Sequence, residues 1–142
     1  MRFPSEAWLR ALVEAVNRQP DLAAALAGLD ADLGAVVEAD PPHLPRAFAA
    51  YGRQHGGRIA ELRVLSDPDD LLELEPAYLV RARYGVWKAL LRGEDPVRAA
   101  LAGRVRVEGD LEALVCRAHY RYVIDAAMAG FATEFADDGG PR

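Results

Sequence analysis

The sequence has a single cysteine, Cys116, so no disulfide can form within the chain. It has one lysine, Lys88, one asparagine, Asn17, one threonine, Thr133, and two serines, Ser5 and Ser66. Both serines occupy positions that suit helix caps, so no serine-nucleophile elbow exists. Codon bias in a GC-rich bacterial genome is the preferred reading of this composition. Heat adaptation is the alternative, because thermolabile amides are few. No apolar run approaches the roughly 18 residues of a spanning helix. The opening Met1-Arg2-Phe3-Pro4-Ser5-Glu6 lacks the apolar core of a signal peptide. A soluble, cytoplasmic protein is expected. Positive charge is also short, with 17 basic against 22 acidic residues and a net charge of -5. Phosphate recognition needs clustered positive charge. The arginines here are scattered along the sequence, so nucleic acid is excluded as an expected partner and membrane contact is at most transient.

What is present is enough for one domain. A chain of 142 residues buries about 68–70% of its unfolded surface. Hydrophobic residues at 51% and charged residues at 27% make it globular rather than disordered. Ser5 caps a helix carrying Trp8, Leu9, Leu12, Val13 and Val16 at helical spacing. Pro20 and Asp21 open a second short helix that ends at Gly28. Alternation predicts a strand over 33–39. Strands over 48–53 and 58–65 follow, joined by Gln54-His55-Gly56-Gly57.

Asp67 to Asp70 form a turn or helix start, and Leu71, Leu72 and Leu74 a helical turn. A strand then runs to Tyr84, with Tyr78, Val80, Ala82 and Tyr84 on one face and Arg81 and Arg83 on the other. From Tyr84 the period becomes helical through Val86, Trp87, Leu90 and Leu91, and stops at Gly93. Asp95-Pro96 opens a short helix buried by Val97, Ala100 and Leu101 and ended by Gly103. Arg104 to Glu108 alternates as a strand with one wet face. Asp110 caps a final helix whose stripe is Leu111, Leu114, Val115, Ala118 and Tyr122, widened by Val123, Ala126, Ala127 and Phe131. The expected domain spans 1–136, and the polar end 137–142 is expected to be disordered. This order reads as α+β in two layers.

The stretch from Ala77 to Val115 contains a strand, a helix, then Gly93-Glu94-Asp95-Pro96, an alternating strand bracketed by Gly103 and Gly109, and Gly109-Asp110-Leu111 opening the last helix. This stretch resembles the sterol-carrier-protein lipid-transfer family. The resemblance implies a five-stranded, mostly antiparallel mixed sheet covered on one face by helices, with an apolar tunnel between. It implies binding of a fatty acyl chain, sterol or other lipid without chemistry, no cofactor and no catalytic residue. The prolines Pro42 and Pro45 depart from the family's regular early hairpin, and the end carries no organelle-targeting tripeptide.

Cys116 and His119, three apart on a helix, would make a nucleophile–base pair or half a zinc site. With no orienting third residue or further ligands, a small thiol beside an amphipathic ring is the preferred reading. His43 and His55 read as solvated loop residues, and Asp67, Asp69 and Asp70 as capping rather than a cation site. No metal site is assigned, and Glu73 and Glu75 are expected to be exposed.

The expected tunnel lining is Val80, Trp87, Leu90, Leu91, Leu101, Val105, Val107, Leu111, Leu114, Val115 and Tyr122. Each is equally well ordinary core by pattern alone. Arg81, Arg83 or another rim group would meet a carboxylate head group. The reading is therefore a non-enzymatic carrier of a lipid or fatty acyl molecule, monomeric or weakly homodimeric. The alternative is a non-catalytic interaction or dimerisation module with a filled core.

Overall fold

Strand β1 (Arg2–Phe3) is followed by α1 (Glu6–Asn17), β2 (Ala31–Glu38), β3 (Phe48–His55) and β4 (Arg58–Leu65). Then come α2 (Pro68–Glu73), β5 (Tyr78–Arg83), α3 (Tyr84–Leu91), α4 (Pro96–Leu101), β6 (Val105–Glu108) and β7 (Glu134–Phe135). The computed structural model describes residues 2–20, 22, 31–109 and 125–135. The second helix expected at 20–28, most of the closing helix expected from 110, and the tail 137–142 lie outside the described residues, apart from 20, 22 and 125–131. Residues 125–128 are helical.

The main sheet has the order β4-β3-β2-β5-β6. Only β2 and β5 pair in parallel, and the other three pairings are antiparallel. This is the mixed, mostly antiparallel sheet that the family resemblance implies, in the α+β arrangement that the sequence pattern implies. Capping explains where the helices start. Ser5 Oγ accepts the Trp8 N–H at 3.1 Å and donates to Arg2 O at 2.6 Å. The Asp67 carboxylate accepts the Asp69 N–H at 2.9 Å.

Two boundaries differ from expectation. The β3–β4 connection is the two-residue Gly56-Gly57 rather than a four-residue loop. Both glycines have positive φ, 64° and 76°, which suits a tight hairpin turn whose twist matches its strands. Pairing therefore continues through Gln54 and His55, with a bulge at Arg53/Gln54. Tyr84, expected to end β5, instead opens α3, because the chain turns from strand to helix with no loop between them.

Strand alternation sorts the side chains onto two faces. Val37, Phe48, Val80, Ala82, Val105 and Val107 face α1, α3 and α4. Val36, Ala49, Tyr51 and Leu79 face the other way and pack on Leu71 of α2. The helices carry one face, as expected, and α2 adds a local cover on the second. Gly34 makes that possible. A Cβ there would lie 2.9 Å from Leu71 and 3.0 Å from Leu79 side-chain carbons, closer than real Cβ atoms come. Next to it, Asp32 accepts the Ala77 N–H at 2.7 Å and the Tyr51 hydroxyl at 2.9 Å, fixing the chain as it enters β5.

The two-residue strands β1 and β7 were not legible in the sequence. They pair in parallel, Arg2 with Glu134 and Phe3 with Phe135, and form a separate small sheet. Phe3, Trp8, Tyr84 and Phe135 are buried around it. The rings of Phe3 and Trp8 meet edge-on at 4.7 Å, and the Trp8 indole N–H donates to Thr133 Oγ1 at 3.0 Å.

Candidate functional site

Five of the predicted lining residues converge where β5 and β6 meet α3 and α4. In the β5–β6 register Val80 sits opposite Val107 and Ala82 opposite Val105, so these four side chains form one apolar strip. Val86, Trp87 and Leu90 from α3 and Ala99 and Ala100 from α4 pack onto the strip. The immediate passage from Arg83 into α3 folds the helix back over the strand it leaves. Gly109 ends β6 against the start of β5. Its φ is +96°, and a Cβ would lie 2.3 Å from Ala77 O, so only glycine permits this approach.

The burial pattern of this region is distinctive. Only the small or medium side chains Ala82, Ala99 and Val105 are buried, while Val80, Trp87, Leu90 and Val107 are half-buried. The polar handle of Trp87 is already engaged, because its indole N–H donates to Val36 O at 2.9 Å. Among the described residues the strip therefore offers apolar contact.

Five expected lining residues come together: Val80, Trp87, Leu90, Val105 and Val107. Leu91 is turned elsewhere, onto the aromatic cluster of Phe3, Trp8 and Tyr84. Leu101 is a correction. It is 85% exposed, whereas Ala99, two residues earlier, is fully buried. Two residues of α-helix are about 200° of rotation, so a helix that buries Ala99 sends Leu101 outward. Leu111, Leu114, Val115 and Tyr122 lie outside the described residues, as do Cys116 and His119.

The expected head-group arginines are also corrected. Arg81 follows Val80 in the strand, so alternation puts it on the face away from α3 and α4. There its Nε donates to Glu38 Oε2 at 3.3 Å. Arg83 shares that face and is exposed. Neither meets the apolar strip.

The remaining polar candidates hold structural positions. His43 is exposed and stacks on Tyr84 at 6.4 Å, and His55 is exposed at the end of β3. Glu73 and Glu75 are exposed, as are Asp67, Asp69 and Asp70. Among the described residues no group of three or more His, Cys, Asp or Glu is placed to hold a metal ion. No helix among them is long and apolar enough to cross a membrane.

Asp32 and Tyr51 are the polar pair that sequence reasoning missed; a lone aspartate in an apolar strand was the available signal. Partial desolvation works to raise the Asp32 carboxyl, but the Ala77 N–H and the Tyr51 hydroxyl outweigh it and hold it below the usual carboxylate range. Desolvation and the hydrogen bond to Asp32 push the Tyr51 phenol up.

No family model matches the chain, and no curated protein matches it. Solved structures do. One is a conserved hypothetical protein from Thermus thermophilus, described as possibly a sterol carrier protein. It matches with a TM-score of 0.70 at 21% identity, over 88% of this chain and 87% of that one. A second is sterol carrier protein 2, with a TM-score of 0.69 at 21% identity over 87% of this chain and 95% of that one. A third, the ubiquinone synthesis protein UbiJ-SCP2, matches with a TM-score of 0.58 at 16% identity over 89% and 93%. The chain thus has the sterol carrier protein fold.

Proposed function

We propose that the protein is a carrier that binds a lipid or other apolar ligand against the β5–β6 strip beneath α3 and α4, and performs no chemistry on it. The observation that carries this reading is the half-burial of Val80, Trp87, Leu90 and Val107 at the β5–β6 edge of the helix-covered face. Large apolar side chains in a finished core are normally buried completely. A fatty acyl chain laid along them removes apolar surface from water, which contributes about 25 cal/mol per Å². The fold shared with sterol carrier proteins supports the same assignment. We place its action in the cytoplasm, without cofactor or metal. The opposite wall is proposed to come from Leu111, Leu114, Val115 and Tyr122.

Titration with a fluorescent fatty-acid analogue tests the proposal. Saturable binding in the micromolar range or tighter, competed by unlabelled fatty acid, is expected. Native mass spectrometry of freshly purified protein should show the mass of a retained lipid. Absence of competable binding would overturn the carrier and leave the interaction module.

A further inference from the structure

The face of the sheet turned away from α1, α3 and α4 has two unlike halves. One is the ridge made by α2, whose Leu71 packs on β2, β3 and β5. The segment around α2, from Asp67 to Glu75, carries five carboxylates, those of Asp67, Asp69, Asp70, Glu73 and Glu75, and no basic residue. All five are exposed. So are two leucines of the same ridge, Leu72 at 44% and Leu74 at 36%. The other half is the surface of β5 and β6, which no described element covers. Alternation puts Arg81, Arg83 and Arg106 there, beside the carboxylates of Glu38 and Glu108, so arginines outnumber carboxylates by three to two, and the register sets Arg81 directly opposite Arg106. Like charges facing each other across a strand pair are destabilising. Glu38 answers Arg81 only. Arg83 and Arg106 are exposed and have no ion pair among the described residues.

An acidic ridge with apolar tips beside a basic step is complementary to itself. Rotation by 180° sets the ridge of one copy on the step of another, and the reverse contact forms at the same time, as a two-fold isologous interface requires. A purely anionic surface would satisfy the arginines but would be repelled by the carboxylates of the ridge. We propose that this face is a homodimer interface, in which Arg81, Arg83 and Arg106 of one copy meet the α2 carboxylates of a second copy and Leu72 and Leu74 are covered. The interface lies on the opposite face from the proposed ligand strip, so it stands or falls independently of the carrier reading.

Sedimentation velocity on the full chain, across a concentration series at low and high salt, tests it. Wild type is expected to dimerise, with association weakened at least tenfold at high salt, because exposed charges beyond a Debye length are screened. Arg106→Glu and Glu73→Arg should each be monomeric. Both positions are exposed, so both variants should retain the wild-type circular dichroism and melting midpoint. An equimolar mixture of the two makes both contacts attractive, one in reversed and one in native polarity, and should sediment as a heterodimer. The proposal is overturned by a wild type that stays monomeric throughout, by a dimer that survives both reversals, or by failure of the mixture to associate. Vesicles of phosphatidylserine and phosphatidylcholine form the last arm. Capture of a monomeric wild type, lost in Arg106→Glu, would assign the step to an anionic lipid surface and also overturn the dimer.

Discussion

The helix-covered face of the sheet is built in two different ways at its two ends. Near the chain termini Phe3, Trp8, Val37, Tyr84 and Phe135 are each under 8% exposed, and the rings lock edge to face. Lys88 and Arg92 lie over the Phe135 ring at 5.4 and 4.9 Å, closing that cluster with cations. At the β5–β6 end the relation of size to burial is reversed. Ala82, Ala99 and Val105 are buried, while Val80, Trp87, Leu90 and Val107 are half-buried. The two ends thus differ in how many large side chains of the described residues are fully buried. A core that stops short of close packing over a localised strip is where an added apolar molecule gains most.

The largest expected effect comes from breaking the aromatic end. Trp8→Ala removes a buried indole and its hydrogen bond to Thr133. It should cost about 3–5 kcal/mol in urea unfolding. A loss under about 1 kcal/mol would show that the aromatic cluster is not the packed core described here.

A matched pair of enlargements sharpens the contrast. Val37→Phe at the aromatic end should overpack and cost about 1–3 kcal/mol. Val107→Trp on the strip should cost under about 1 kcal/mol, because room exists for the ring. It should also weaken binding of the fluorescent fatty-acid analogue at least tenfold. If Val107→Trp destabilises as much as Val37→Phe and leaves binding unchanged, the two ends are alike and the strip is not the site.

Acid titration probes a smaller term on the sheet's other face. The Asp32 carboxyl is held below its ordinary value by Ala77 and Tyr51, against the opposing pull of desolvation. Its contribution to stability is therefore fully present above the unfolded pKa of about 3.9 and is lost as pH falls through the lower folded value. Asp32→Asn should lower the unfolding midpoint near neutral pH and flatten its decline below about pH 4. An unchanged acid limb in the variant would show that Asp32 is not held down in the folded state. The smallest expected effect is that of chelation. A strong chelator should leave the melting midpoint in place, and a fall of several degrees would reveal a metal ligand set.

Much of the architecture follows from local chemistry that any reader of the chain can see. Ser5 and Asp67 start helices because their side-chain oxygens accept the free N–H groups of a first turn. Val105 and Val107 face the helices, and Arg81 and Arg83 face away, because strand side chains alternate. The strip of Val80, Trp87, Leu90, Val105 and Val107 was legible for the same reason, since each residue belongs to a segment with a clear period. Leu101 was misplaced because six residues are too few to define a helical face, and the buried side proved to be that of Ala99.

Tertiary structure alone decided the rest. Two-residue strands have no period, so nothing in Arg2-Phe3 or Glu134-Phe135 announced that the ends of the chain would pair. Their partnership depends on a contact 132 positions apart in register. Tyr51 and Ala77 meet Asp32 only because β2 lies between β3 and β5 in the sheet. The same strand order brings Arg81 opposite Arg106 and leaves the α2 ridge beside them, so acidic and basic residues scattered in sequence become two halves of one face. Local chemistry determines which side chains share an element's face, because that periodicity is a property of the backbone. Which faces meet is set by strand order and register, and those depend on long-range contacts that no local pattern encodes.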